Sequence, residues 1–123
     1  MSAAVRYFEI AVLDMDRAVA FYEAVLTLTL ERGEIDGNQM AYFPPDPAGV
    51  GAGGALAKGD SYVPGRQGCR LYFTVGSIDA TLARAVAAGG IVLYPKTSIG
   101  ELGFVAEFED SEGNCIALHS AEA

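Results

Sequence analysis

The chain carries one pattern twice at a nearly constant spacing, and this repeat restricts its fold more than any other feature. Arg6-Tyr7-Phe8-Glu9-Ile10-Ala11-Val12 and Cys69-Arg70-Leu71-Tyr72-Phe73-Thr74-Val75 lie 63 residues apart. Phe8, Ile10 and Val12 fall on Leu71, Phe73 and Val75. Each segment alternates, as a half-buried strand with one apolar face does. The same spacing sets Asp14 on Ser77, both suitable helix N-caps, and Asp16 on Asp79, each placed in a positive first turn.

Two helical stretches follow these caps. The first has Val19, Tyr22 and Leu26 on one face, and the second has Ile78, Leu82, Ala85 and Val86. Gly89-Gly90 closes the second helix. Leu28 falls on Ile91, so each helix is expected to lead into a strand. Asp46-Pro47-Ala48-Gly49 matches Asp110-Ser111-Glu112-Gly113 as a turn, and each turn feeds a last strand, Gly54-Ala55-Leu56 or Ile116-Ala117-Leu118.

The predicted order is strand, helix and three strands, twice: an α+β fold of two βαβββ modules at about 5–60 and 68–120 in one domain. A polar Gly/Pro stretch from Tyr62 to Gln67 links them. The right-handed crossover rule fixes each helix on one side of a four-stranded mixed sheet. Two such curved sheets side by side would form a trough lined from both.

Composition narrows the function. With 16 acidic and 8 basic residues the net charge is −8 and no basic cluster exists, which argues against nucleic acid. The same charge reads either as a means of solubility or as a preference for cationic or neutral ligands, and charge alone does not choose between them. No apolar run is long enough to span a membrane, and Asp14 and Asp16 interrupt any signal-peptide pattern, so a cytoplasmic protein is expected. Cys69 and Cys115 form no C-x-x-C pair and are expected to be reduced thiols. Gly49-Val50-Gly51-Ala52-Gly53-Gly54 satisfies G-x-G-x-x-G, but it follows a Pro-rich turn and leads into a short strand, so it reads as a turn and not a dinucleotide site.

A strand, a helix with Phe21-Tyr22 at its middle, and strands ending in Asp110-Ser111-Glu112-Gly113-Asn114 before a short apolar strand together resemble the vicinal oxygen chelate superfamily. That group holds glyoxalases, fosfomycin- and bleomycin-resistance proteins, extradiol dioxygenases and methylmalonyl-CoA epimerase. Phe8-Glu9-Ile10, Gly53-Gly54-Ala55-Leu56, Pro95 to Gly100 and Leu118-His119-Ser120 are similar to small lactoylglutathione lyase-like members of unassigned activity. Fold membership does not by itself bring a reaction.

The resemblance implies four metal-ligand positions, one on the first and one on the last strand of each module. They fall on Tyr7, Ala55, Arg70 and Ala117. Such a set lacks the convergent carboxylates, imidazoles or thiolates that a divalent metal needs, and His119 is the only histidine. No metal and no other cofactor is therefore expected.

Side chains two residues apart share a strand face, so Tyr7, Glu9, Ala55, Arg70, Tyr72, Ala117 and His119 are the candidate ligand-binding residues. Glu9 interrupts an apolar strand. It reads either as a catalytic base with His119 as acid, or as an ion-pair partner of Arg70 or a solvated group. Arg70 could take a ligand carboxylate, or pair with Glu9 or Glu107.

The expected function is metal-independent binding of a small organic molecule between the modules, with a lyase or isomerase reaction through Glu9 and His119 as an extension. One alternative is a non-catalytic protein that sequesters a drug or metabolite. Another is a metal-dependent glyoxalase-like lyase with an atypical ligand set, such as Glu9, His119 and carboxylates of a second subunit. Members of this size usually pair, so a two-fold homodimer is expected.

Overall fold

The computed structural model describes residues 2–122. The elements are β1 (Tyr7–Ala11), α1 (Met15–Leu26), β2 (Glu31–Ile35), β3 (Asn38–Tyr42), β4 (Gly53–Lys58), β5 (Tyr72–Thr74), α2 (Ile78–Ala87), β6 (Ile91–Ser98), a 3-10 turn at Gly100–Leu102, β7 (Phe104–Glu109) and β8 (Cys115–Ser120). Strand, helix and three strands occur twice, as the repeat requires. The sheets run β1-β4-β3-β2 and β5-β8-β7-β6, with β1 parallel to β4, β5 parallel to β8 and the other pairs antiparallel.

Local chemistry sets the helix starts. The Asp14 side chain accepts the Arg17 amide at 3.0 Å, and Ser77 Oγ accepts the Ala80 amide at 3.1 Å. Each cap satisfies an orphan donor of the first turn. The helices end differently. Thr27 takes a left-handed conformation (φ 53°) after α1, whereas Gly89 (φ 97°) turns the chain after α2. A β-branched residue is an unusual choice for that region.

Two expectations need adjustment. Leu28 precedes β2 instead of opening it, because the left-handed Thr27 turns the chain before it can pair. The strand expected across Cys69 to Val75 shortens to three residues, although Leu71 O still accepts from Ala117 N and Val75 N donates to His119 O. As an edge strand, β5 has one neighbour only to hold its ends.

The apolar rows of both sheets meet in one core. Ile10, Val12, Leu56, Ala106, Phe108, Ile116 and Leu118 pack with Ala18, Phe21, Tyr22 and Val25 of α1 and with Ile78 and Ala85 of α2. Phe8 and Phe73, from the first strands of the two modules, meet edge to face at 5.8 Å. Such aromatic contacts add to the area term that holds the halves together. Gly54 is required here, because the Phe8 ring occupies the space of a Cβ.

Polar contacts complete the junction. Within the turn after β7, Asp110 accepts the amides of Glu112 and Asn114 and the hydroxyl of the buried Tyr22. The Glu112 side chain is fully buried. It accepts the amides of Leu13 and Asp14 at 2.8 and 2.9 Å and the Arg17 guanidinium at 2.7 and 3.0 Å. Asn114 donates to Ala11 O at 2.8 Å. The second module thus holds the start of the first module's helix.

Burial raises the Glu112 pKa, but the hydrogen bonds from Arg17, Asp14, Leu13 and Ser111 outweigh it and hold the carboxyl at about 2. A folded value below the ordinary 4.5 means the stabilisation is full above pH 4.5 and is lost as pH falls towards 2. The shift corresponds to about 3 kcal/mol. Glu112→Gln should therefore cost about 2–3 kcal/mol in urea unfolding at pH 7 and little near pH 2. An equal loss at both pH values would refute this assignment.

Candidate functional site

Because strand side chains alternate, the row opposite the core lies on the side of each sheet away from the helices. In the first sheet it holds Tyr7, Glu9 and Ala11 of β1, Ala55 and Ala57 of β4, and Met40 and Tyr42 of β3. In the second it holds Tyr72 and Thr74 of β5, Cys115, Ala117 and His119 of β8, and Val105 and Glu107 of β7. Every candidate that lies in a strand falls on these helix-free faces, as alternation predicts.

Glu9 is the polar centre of the first face. Tyr7 Oη donates to its Oε2 at 2.9 Å and Tyr62 Oη donates to its Oε1 at 2.6 Å. Tyr62 arrives from the linker, and with Tyr42 it packs on the buried Met40, Ala55 and Ala57. Burial, the hydrogen bond to Glu9 and the Glu9 charge push the Tyr7 pKa up to about 12. The hydrogen bond to Glu9, then burial and the same charge, raise that of Tyr62. Both phenols therefore stay protonated and act as donors to a carboxylate. The ion-pair reading of Glu9 does not apply, because Arg70 bonds to Glu107, whereas Glu9 is exposed as the solvated reading has it.

The second face divides into two clusters. Arg70 Nη1 donates to Glu107 Oε2 at 3.0 Å, and the Cys115 thiol faces Glu107 Oε1 at 3.6 Å. Burial, and then the Glu107 charge, raise the Cys115 pKa, so the thiol is not poised as a nucleophile. Further along, His119 Nε2 lies 2.6 Å from Leu102 O. A carbonyl has no proton to give, so Nε2 carries one. His119 also lines a cleft of about 500 Å³ with Tyr72, Thr74, Ile99, Leu102 and Val105.

The candidates are thus gathered in three groups: Tyr7 and Glu9 beside Ala55; Arg70, with Glu107 and Cys115; and His119 with Tyr72, beside Ala117. Among the described residues no hydrogen bond joins Glu9 to His119. A separate cleft of about 320 Å³ brings Glu9 together with Cys69 and Cys115 across the gap between β1 and β8. Both cysteines are free thiols.

The register tests the four positions implied for a metal. Ala55 lies opposite Glu9 and Ala117 lies opposite Tyr72, while Tyr7 lies opposite Gly53. A phenol held neutral by its surroundings, two methyl groups and a guanidinium already paired with Glu107 do not fit a divalent metal. Among the described residues, no group of three or more His, Cys, Asp or Glu side chains is placed so that it could hold a metal ion.

Tyr62 and Tyr42 were not among the sequence candidates. Tyr62 marks only the start of the linker in the sequence, and nothing local says that it folds back on β1. Tyr42 was recoverable from the alternation of β3, whose even-numbered residues share the face of Ala55. Glu107 was legible as one of three options for Arg70.

The geometry has counterparts. Residues 4–118 match the family model described as Glyoxalase/Bleomycin resistance protein/Dioxygenase superfamily. The Mycobacterium bovis protein named "Putative glyoxylase CFP32" is 37% identical over 98 residues, covering 80% of this chain but 36% of the relative. The match therefore spans about a third of the relative's length. A glyoxylase/bleomycin resistance protein/dioxygenase domain from Frankia superposes with a TM-score of 0.73 at 21% identity, covering 98% of this chain and 93% of that one. The fosfomycin resistance protein FosX of Listeria monocytogenes gives 0.70 at 20%, covering 97% and 91%. TnmS3, an antibiotic binding protein from Streptomyces, gives 0.70 at 27%, covering 97% and 96%.

The tyrosine contacts with Glu9 can be read directly. Replacing Glu9 with Gln removes the charge and weakens the hydrogen bond that together hold the Tyr7 proton, leaving burial and the smaller effects of Tyr42 and Tyr62. In carbon-detected NMR titration of the tyrosine ring carbons, Tyr7 should then ionise about one pH unit or more below its native midpoint. An unchanged midpoint would show that Glu9 does not govern this phenol.

Proposed function

This chain belongs to the glyoxalase/bleomycin resistance protein/dioxygenase superfamily, and from that premise we propose that it binds a small organic molecule on its helix-free sheet faces, without a metal, and holds it unchanged. The carrying observation is the make-up of those faces. Tyr7 and Tyr72 are about half exposed, Ile99 and Leu102 stand over the second sheet, and the polar groups between them are few and already oriented by hydrogen bonds. Shaped apolar walls with a few fixed polar groups suit small-molecule recognition.

Retention is favoured over turnover by the state of the two catalytic candidates. Glu9 accepts two phenolic hydroxyls, one on each carboxylate oxygen, so neither oxygen is free to take a substrate proton without breaking one of these bonds. His119 spends its Nε2 proton on a backbone carbonyl. A lyase or isomerase step would need both groups released from these bonds and brought to one substrate. The antibiotic-binding relative at 27% identity supports the same direction.

The helix-free faces are open in the single chain, and we infer that a second copy covers them. The accessible surface is 7402 Å², against about 6,300 Å² for a compact monomer of this mass. The excess is comparable with the roughly 800 Å² that each partner buries in a standard interface. β2 is exposed throughout and β6 along most of its length, so both sheets end in free edges. The two free thiols, Cys69 and Cys115, support a reducing, cytoplasmic setting for this proposal.

Two measurements test this reading. Light scattering at micromolar concentration should report a dimer, and a monomeric mass would remove the two-fold arrangement. In a thermal-shift screen of small organic molecules, protein dialysed against EDTA should keep its ligand-induced rise in Tm, because ligands that bind the native state stabilise it. The ligand recovered after overnight incubation should be chemically intact. Loss of binding on chelation, or recovery of a product, would overturn it.

A further inference from the structure

The electrostatics of the first face narrow the ligand class beyond "small organic molecule", and this step rests on the binding reading above. Glu9 is exposed and carries a formal charge, yet its two hydrogen-bond donors are neutral phenols. No ion pair involves it among the described residues. The alternation of the strands explains why. Arg6, Arg32 and Lys58 are the basic residues next to or within this sheet, and each occupies the row opposite Tyr7, Glu9, Ala55 and Ala57. Arg32 is bonded to Asp16 of α1 at 2.6 Å, on the helix side. Glu31, by contrast, lies opposite Tyr42 and shares its row with Glu9 and Ala55.

The surroundings of Glu9 are aromatic. Tyr7 and Tyr62 flank it, and Tyr42 lies close enough to influence Tyr7 electrostatically. Met40, Ala55 and Ala57 form a buried floor with no polar side-chain group. The hydroxyls of Tyr7 and Tyr62 are turned to the carboxylate, which leaves ring surface beside a negative charge with no ion-pair partner. Ring faces attract cations through their quadrupole, most strongly where water is displaced. A carboxylate at their centre adds a Coulomb attraction that a neutral ligand cannot use. An anionic ligand would meet Glu9 and Glu31 with no positive side chain in the row.

We propose that Tyr7, Tyr42 and Tyr62 around Glu9 form a recognition site for an organic cation, a quaternary ammonium or protonated amine group, on the helix-free face of the first sheet. The opposite sheet differs at the matching positions. Arg70, on the position that repeats Tyr7, is paired with Glu107, and Tyr72, on the position that repeats Glu9, lines the apolar cleft with Leu102. A ligand with a cationic head and an apolar body would find both requirements met on different sheets.

The test compares choline with 3,3-dimethylbutan-1-ol, the same shape with carbon in place of the charged nitrogen. Isothermal titration of the intact protein in low-salt buffer should show choline binding at least tenfold more tightly. Glu9→Gln should abolish that preference while leaving the alcohol within about twofold of its native affinity, and Tyr62→Ala should weaken choline more than Tyr62→Phe does. Circular dichroism and the unfolding midpoint would confirm that each variant is folded. Equal affinity for the two probes, or a choline preference that survives Glu9→Gln, would overturn the cation site. If neutral compounds from the thermal-shift screen bind while choline does not, the cation site falls and the binding function stands.

Discussion

Glu112 is an ion with no exposed side-chain surface, and the way the two halves sit together depends on how its charge is met. Burying a carboxylate costs several kcal/mol unless donors surround it. Here all the donors but the neighbouring Ser111 hydroxyl come from the other module: two backbone amides at the start of α1 and a bidentate guanidinium from Arg17. The amides belong to a helix start, which already favours negative charge. The charge therefore anchors one module's last turn on the other's first helix. Tyr22 to Asp110 and Asn114 to Ala11 extend the same junction. With that end fixed, the core aromatics Phe21 and Phe108 are brought within 6.0 Å, and β1 is held beside the second module.

The opposite end of the junction has no such anchor, although the repeat supplies equivalent positions. Ala48 stands where Glu112 stands, and Val50 where Asn114 stands. The side chain of Asp46 accepts only its own turn's amide, from Val50. A cleft of about 660 Å³ remains there, between the loop after β3 and the β5 strand, floored by Phe8, Phe43 and Phe73. One copy of the turn has become a clamp and the other has stayed a loop. Duplication provides the scaffold twice, but each polar network has to be built once, from residues that differ between the copies.

That distinction explains what could be read from the sequence. Apolar alternation in Phe8, Ile10 and Val12 and in Leu71, Phe73 and Val75 is local and periodic, so both first strands and the sidedness of Glu9 were legible. The caps Asp14 and Ser77 act within three residues and were legible for the same reason. The partners of polar side chains were not. Glu112 reaches back across 99 residues to Leu13, and Tyr62 reaches across 53 to Glu9. No periodicity links such positions, and only the closed fold brings them into range. Arg70 shows the intermediate case: its partner could be limited to two carboxylates, and the register of β5, β8 and β7 chose Glu107.

The same register bears on why the two faces have become unlike. A metal shared between the modules would need donors at equivalent positions of both, because its coordination geometry is fixed and each module supplies the same strand ends. Tyr7 with Arg70, and Ala55 with Ala117, meet no such requirement. Once the equivalent positions need not agree, each sheet can set its own polarity. The first keeps a carboxylate among phenols with every nearby cation on the far side, while the second neutralises Arg70 internally and exposes Tyr72, Ile99 and Leu102. A site built from such halves distinguishes the two ends of a ligand. Discrimination of this kind comes from placing a charge where only one end can meet it, and leaving the other end nothing but apolar surface.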